Sequence, residues 1–372
     1  MKNICLKVLS VALCLCLSFV FVGCERGYVV VSDISSTTSV ETSSEPEKEE
    51  SQFVVNPLTG LENLDPTVVN NRPVAVMVNN LKPTAQQIQT GLDQADIVYE
   101  AYAEGGVTRL LAVFKNIKAA DQIGSIRSAR YSYVDLAMGH DAVYVHAGIN
   151  DTHAEPHVNE TKIDNINLLL GKFNGMSFRE KNGKAYEHTL YTTGEKLWKG
   201  FEKLKWRTTL DYNKENWQNF VSADAQFVPT SGTCDVVSVT MSGAYVSKFE
   251  YDSANKVYKK FSGTSKHSDY KTGKQLTFKN VLVLKTEVTA LSRDGKIVKT
   301  GLTGGEGYYV SNGGYQKIKW SKGSTKNPIK ITLEDGSVCN YNPGNTWVCL
   351  VDQKNSVKIT DSKSETTATA SK

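Results

Sequence analysis

A glycine pair, Gly105-Gly106, separates two strand-like segments and constrains the fold more than any other feature of this sequence. Segments 98–104 and 107–114 both alternate in the period of two that is typical of β-strands. A two-residue glycine joint suits the primed turns of a β-hairpin, because those turns need positive φ angles. The sequence therefore predicts a hairpin in which Glu104 pairs with Val107.

A regular hairpin would place Tyr102 opposite Arg109 and Glu100 opposite Leu111. The period of two then puts Glu100, Tyr102, Glu104 and Arg109 on one face. Three interpretations stay open: exposed ion pairs, a ligand site in which Arg109 binds an anion, or a glycosidase-like pair of acids. The last needs carboxyl groups about 5 to 9.5 Å apart. Positions four apart on a strand are about 13 Å apart at Cα, so both side chains would have to lean inward.

A second polar group follows at Ser125-Ile126-Arg127-Ser128-Ala129-Arg130, just before a segment that we interpret as a helix ending near Met138. Ser125 and Ser128 are both candidate N-caps. Arg127 and Arg130 would oppose the helix dipole, unless an anion binds there beside the free backbone N–H groups. The alternative is that these arginines bridge carbonyl groups at strand ends.

Histidines offer weaker evidence of a site. His146 follows a predicted strand and either faces the same cleft or packs against backbone acceptors. His140, His153 and His157 invite a metal hypothesis, but Pro156 disrupts the helical spacing of the last two, so we expect no metal site. No P-loop, dinucleotide fingerprint or nucleophile elbow is present, so we expect no cofactor.

Several longer segments resemble the YerB-like lipoproteins, a bacterial family of unknown function with N- and C-terminal domains. They are RPVAVMVNN, GLDQADIVYEAYAEGGVTRLLAVF, IRSAR, AVYVHAG, EHTLYTT, KHSDYKTGKQLTFKNVLVL and GNTWVCLVD. The likeness covers roughly residues 53–352 and implies a fold and an extracytoplasmic location, but no reaction. This chain departs from the family pattern at Ile149-Asn150, where glycine and serine are usual, and at Glu187, where proline is usual.

The first 24 residues predict a lipoprotein signal peptide. A basic start is followed by an apolar segment at 8–22 and a lipobox-like Phe21-Val22-Gly23-Cys24. The alternative is an uncleaved transmembrane anchor. We expect a lipid on Cys24 and attachment to the outer face of the cytoplasmic membrane.

Composition predicts a disordered tether at 25–52 and a disordered tail at 353–372. The patterns of helices, strands and turns between them predict an α/β domain with a mixed sheet at 53–215 and a mostly antiparallel β domain at 216–352. The predicted fold class is therefore α+β. Cys339 and Cys349 flank a Pro343-Gly344 turn and either form a disulfide or, being one position out of register, stay free.

The favoured function is a cell-envelope protein that binds an anionic or polyhydroxylated ligand, such as a peptidoglycan fragment. The predicted ligand-binding residues are Glu100, Glu104, Arg109, Arg127, Arg130 and His146. Two alternatives remain: an enzyme that cleaves wall glycan with Glu100 or Glu104 as general acid, and a scaffold that binds another envelope protein. A net charge of +4 over 372 residues is too small to indicate nucleic-acid binding.

Overall fold

The computed structural model describes residues 52–83, 85–149, 152–213 and 215–361. The predicted signal peptide, its Cys24, and all but the last residue of the predicted tether lie outside the described residues. Residues 357–360, which were predicted to lie in the disordered tail, instead form the strand Val357–Thr360, which pairs with residues 236–239.

In the first half, the described residues form three α-helices and a set of mostly short strands. The helices are α1 Tyr131–Met138, α2 Ala154–Thr161 and α3 Gly194–Leu204. The strands are β1 Val54–Val55, β2 Glu62–Leu64, β3 Val74–Asn79, β4 Ile97–Glu104, β5 Val107–Phe114, β6 Gln122–Gly124, β7 Val143–His146, β8 Asn165–Asn167, β9 Phe178–Arg179 and β10 Leu190–Thr193. Single turns of 3₁₀ helix lie at Pro66–Val68, Ala85–Gln87, Leu92–Gln94, Ile117–Ala119, Gly171–Phe173 and Tyr186–His188.

The second half is built of strands. They are β11 Asn219–Phe220, β12 Gly232–Thr233, β13 Val236–Ser242, β14 Tyr245–Asp252, β15 Val257–Ser262, β16 Ser265–Lys266, β17 Thr277–Phe278, β18 Asn280–Thr286, β19 Val288–Ala290, β20 Val298–Thr300, β21 Gly304–Ser311, β22 Gly314–Ser321, β23 Lys330–Leu333, β24 Asn340–Tyr341, β25 Thr346–Asp352 and β26 Val357–Thr360. With the mixed first half, this distribution agrees with the predicted α+β class.

One 11-stranded sheet runs through both halves of the chain, in the order β12-β22-β21-β18-β25-β4-β5-β3-β7-β8, with β23 also paired to β22. The halves meet where β25 lies parallel to β4, with Trp347 paired to Val98. A second sheet of six strands, β16-β15-β14-β13-β26 with β17 beside β15, comes entirely from the second half. The domain limits at 215 and 216 stay a prediction, because the 11-stranded sheet contains strands from both sides of this boundary.

Both faces of the central sheet are buried, as the alternation along β4 shows. Val98 belongs to an apolar cluster that also contains Val239 of the second sheet. Tyr99 points the other way and belongs to a cluster with Tyr133 of α1. A polar side chain on either face must therefore find partners inside the protein.

The predicted hairpin is present, and Glu104 pairs with Val107 as expected. A β-bulge between Tyr102 and Glu104 then shifts the register by one, so that Tyr102 lies opposite Thr108 and Glu100 opposite Leu110. The prediction that Glu100 and Arg109 share a face was therefore wrong. The bulge also moves Glu104 to the face of Arg109, because one extra residue reverses the alternation.

The helix that follows begins later than predicted. Arg130 is the N-cap residue of α1 and makes no side-chain capping bond. Ser128 instead donates to the carbonyl oxygen of Ala147 at 3.0 Å, and Ser125 lies five positions before the cap. The preceding segment is extended, with the backbone N–H of Arg127 bound to the carbonyl of Met77 at 3.1 Å. The arginines are thus placed by a strand-like segment between β3 and β7.

Cys339 and Cys349 do not form a disulfide. Both are buried free thiols, as is Cys234. Cys349 lies within β25 at the centre of the sheet, where it pairs with Val283 and Glu100 on the flanking strands.

Candidate functional site

Glu104, Arg109, Arg127 and Arg130 come together beside the hairpin, and we call these four residues the arginine cluster. One carboxylate oxygen of Glu104 accepts from Arg109 Nη2 at 2.9 Å and also from Arg130 Nη2. Arg127 lies close enough for its charge to lower the pKa of both Glu104 and Arg109. The cluster therefore joins the two polar groups that were predicted from sequence.

Arg109 is the buried member of the cluster. It is only 6% exposed, and its Nη1 donates to the carbonyl oxygen of Ser128 at 2.5 Å. Burial, followed by the neighbouring charge of Arg130, lowers its pKa to about 10. Two cations held this close repel each other, and the shared Glu104 carboxylate offsets part of that repulsion.

Arg127 is the member with unused donors. Its Nη1 donates to the carbonyl oxygen of Glu187 at 3.1 Å. Its Nε is buried and has no hydrogen-bond partner among the described residues. Within this described part of the chain, Arg127 forms no ion pair with a carboxylate. A guanidinium anchored by a carbonyl oxygen is fixed in position, and the nearby charges of Glu187 and Glu104 do not outweigh the burial that lowers the pKa of Arg127.

Glu104 is held as a carboxylate. Burial alone would raise its pKa, but the charges of Arg109 and Arg130 outweigh that effect and lower it. Its side chain is 41% exposed, so the cluster opens to solvent at this residue. Glu104 therefore neutralises part of the cluster and is a poor proton donor.

Glu100 lies on the opposite face, away from the cluster. It is 2% exposed and accepts from Ser247 Oγ at 2.5 Å, Thr108 Oγ1 at 3.1 Å and Trp347 Nε1 at 3.3 Å. Asn80 Nδ2 adds a fourth contact at 3.3 Å. These donors occupy both carboxylate oxygens, so Glu100 joins the two halves of the protein rather than facing a ligand.

His146 also lies apart from the cluster. It is fully buried, with Nδ1 2.9 Å from the carbonyl oxygen of Gly148 and Nε2 3.1 Å from Asn165 Oδ1. Burial lowers its pKa, so it is the neutral form that packs here. This is the packed-histidine interpretation rather than the ligand-binding one.

Residues of the 185–188 turn complete the surroundings, and sequence reasoning did not assign them to the site. Glu187 contributes the carbonyl oxygen that accepts a hydrogen bond from Arg127. Burial lowers the pKa of His188, and the charge of Arg127 lowers it further. His188 Nδ1 lies 2.8 Å from Asn79 Nδ2. A turn 60 positions away carries no local signal of this proximity.

The cluster does not line any of three cavities found among the described residues, two of which have volumes of about 940 and 480 Å³. The described residues also contain no group of three or more His, Cys, Asp or Glu side chains suited to hold a metal ion. The arginine cluster is therefore a partly open surface site.

None of the described helices combines the length and apolar character needed to cross a membrane.

Comparison with known proteins gives a consistent picture along the chain. A family model for the N-terminal domain of a "Protein of unknown function (DUF3048)" matches residues 58–207, and the model for the C-terminal domain of the same family matches residues 237–348. The hairpin and all four residues of the arginine cluster fall within the first match.

A curated relative and a solved structure agree with these matches. The chain is 29% identical over 303 residues to the "Putative lipoprotein YerB" of Bacillus subtilis (strain 168). The aligned residues cover 82% of this chain and 88% of the relative. It also superimposes on the crystal structure of the YerB protein from Bacillus subtilis with a TM-score of 0.68 and 27% identity, covering 82% of this chain and 99% of that one.

Proposed function

Because the chain belongs to the DUF3048 family, in which the Bacillus subtilis relative is described as a lipoprotein, we propose that it is a lipid-anchored envelope protein that binds an anionic ligand at the arginine cluster. Its anchor is the lipid on Cys24, and its body lies on the outer face of the cytoplasmic membrane. Fragments of peptidoglycan or of another anionic wall polymer are the ligands that suit this location.

The observation that carries the proposal is the unused hydrogen-bond donor on the Arg127 guanidinium. This side chain is held in place by the Glu187 carbonyl, while its buried Nε has no partner among the described residues. A carboxylate or phosphate placed there would receive charge-assisted hydrogen bonds, which are the strongest that proteins offer. Arg109 stands behind it as a second, buried positive charge.

The geometry favours binding over glycan cleavage. The two acids proposed as a catalytic pair lie on opposite faces of the central sheet. Glu104 is kept ionised by two arginines, and Glu100 is enclosed by four hydrogen-bond donors. Neither is placed to donate a proton to a leaving group.

Sedimentation of the purified full-length protein in detergent with peptidoglycan tests the proposal. We expect saturable binding that weakens with salt, because the interaction is electrostatic and partly exposed. Arg127→Ala should weaken it by about tenfold or more, from the loss of charge-assisted hydrogen bonds. Lys358→Ala, which removes an exposed positive charge from the second sheet, is the matched control and should bind normally.

Two results would contradict the proposal. Equal binding by Arg127→Ala and the control would exclude the cluster as the binding site. Release of soluble glycan fragments, abolished by Glu104→Gln or Glu100→Gln, would instead identify an enzyme.

A further inference from the structure

A cavity that is separate from the arginine cluster lies where the two halves of the chain meet. Its volume is about 480 Å³, and it is lined by residues from the 57–140 region, from 210–213 and 215–217, and from 327–330. The middle group connects the two segments matched by the family models. A volume of this size suits a small molecule, and such sites occur preferentially at domain junctions.

The walls of this junction cavity combine apolar and polar side chains. Leu58, Pro73 and Pro328 contribute aliphatic surface, and Trp217 contributes an indole that is 7% exposed. The indole is 5.9 Å from the ring of His140, centroid to centroid, and the two rings are tilted at 54°.

Two polar groups of the cavity have unused hydrogen-bonding capacity. Trp217 Nε1 is buried and has no partner among the described residues, which is a costly state for a donor. His140 contacts the hydroxyl of Tyr99 through Nε2 at 2.7 Å, and its Nδ1 makes no further hydrogen bond in the same described part. Burial lowers the pKa of His140 to about 3, so the ring is neutral at physiological pH.

Lys115 also lines the cavity; burial lowers the pKa of its ammonium to about 8, although the charge of Asp96 opposes this shift. It is 1% exposed, and its ammonium group donates to the carbonyl oxygen of Asn71, which leaves two of its three donors. Asp96 is the nearby carboxylate, but its oxygens already accept from the backbone N–H of Lys115 at 2.6 Å and from Asn56 Nδ2 at 2.8 Å. Glu215, the acidic lining residue, is exposed.

We infer that the junction cavity binds a small organic carboxylate with an apolar body. The carboxylate accepts from the Lys115 ammonium and the Trp217 indole N–H, and the apolar body packs against Leu58, Pro73 and Pro328. This inference does not depend on the arginine cluster, since the two sites share no residue.

Binding of benzoate and of benzamide to the full-length protein tests the inference, because the two probes differ in charge but little in shape. Titration calorimetry should show saturable benzoate binding at least tenfold tighter than that of benzamide. Trp217→Phe keeps the ring, removes the N–H and should weaken benzoate binding by about fivefold, the value of one hydrogen bond. Lys115→Met should abolish the preference for benzoate over benzamide.

Exposed positions supply variants that leave the folded core alone. Asn216→Trp at the cavity rim should block benzoate, whereas Glu155→Trp on α2, outside the cavity, should not. Arg127→Ala should bind benzoate normally. The inference is overturned if benzamide binds as well as benzoate, if Asn216→Trp has no effect, if Arg127→Ala loses binding, or if no saturation occurs by about 20 mM benzoate.

Discussion

Tyr133 links helix α1 to the hairpin that carries the arginine cluster, and replacing it with phenylalanine tests how that cluster is held. The side chain is fully buried. Its hydroxyl lies 2.5 Å from the carbonyl oxygen of Ala101 and 2.9 Å from that of Arg109, and it accepts from the Arg109 backbone N–H at 3.2 Å. One hydroxyl thus contacts both strands of the hairpin.

The magnitude follows from the number of bonds. Tyr133→Phe keeps the ring within its apolar cluster and removes only the hydroxyl. A hydroxyl has one proton, so it donates one hydrogen bond at a time and accepts the other from Arg109. Two bonds at about 0.5–1.5 kcal/mol each lower the free energy of unfolding by about 1–3 kcal/mol. We also expect weaker peptidoglycan binding, because Arg109 loses its backbone support.

Equilibrium urea unfolding, followed by circular dichroism, measures the effect on stability. Tyr131→Phe is the matched control: its ring stacks on His157 at 4.0 Å and lies under the Lys299 ammonium at 4.8 Å. The Tyr131 hydroxyl forms no hydrogen bond with the described residues, so its loss should change the stability by less than about 0.5 kcal/mol. Equal unfolding free energies for the two variants would refute the reasoning.

Three further predictions concern charge, anchoring and the domain boundary. Burial raises the pKa of the Asp96 carboxyl from 3.8 to about 6. Protonation of this carboxyl therefore stabilises the folded state fully below pH 4, and that stabilisation is lost as the pH rises through 6. Relative to Asp96→Asn, the natural protein should lose on the order of 3 kcal/mol of unfolding free energy between pH 4 and 7, and parallel pH profiles would contradict this. Cys24→Ala should move the protein from the membrane fraction to the medium, whereas normal processing and membrane retention would exclude the lipid anchor. Limited proteolysis should cut within residues 25–52 and near residues 213–229. The two halves should then stay associated on gel filtration, because β25 pairs with β4. Separation of the halves would show that this pairing is weak.

Local patterns in the sequence predicted the hairpin and most of the arginine cluster. Gly105-Gly106 marked the turn, and alternation marked both strands, because these signals depend on neighbouring residues alone. The arginines at 127 and 130 were recognised for a reason that proved incomplete. They stand beside a helix start, but it is Glu104 of the hairpin that Arg130 contacts.

Longer-range features escaped prediction for physical reasons. A bulge has no strict sequence signature, and one extra residue moved Glu100 to the other face from Arg109. The buried partners of Glu100 include Ser247 and Trp347, which lie about 150 and 250 positions along the chain. No local pattern predicts that a strand about 250 positions later will contact the β4–β5 hairpin.

The position of β25 has a consequence for how the chain is made. Synthesis proceeds from the N-terminus, and early segments usually begin to fold first. Here β4 must wait for residues 346–352, because its parallel partner is synthesised about 250 positions later. Until then, β4 and β18 would both present open edges, which invite pairing with other chains. A nonsense mutation just before residue 346 would therefore remove the central strand of the sheet, and a nascent chain would stay vulnerable to aggregation until β25 has been synthesised.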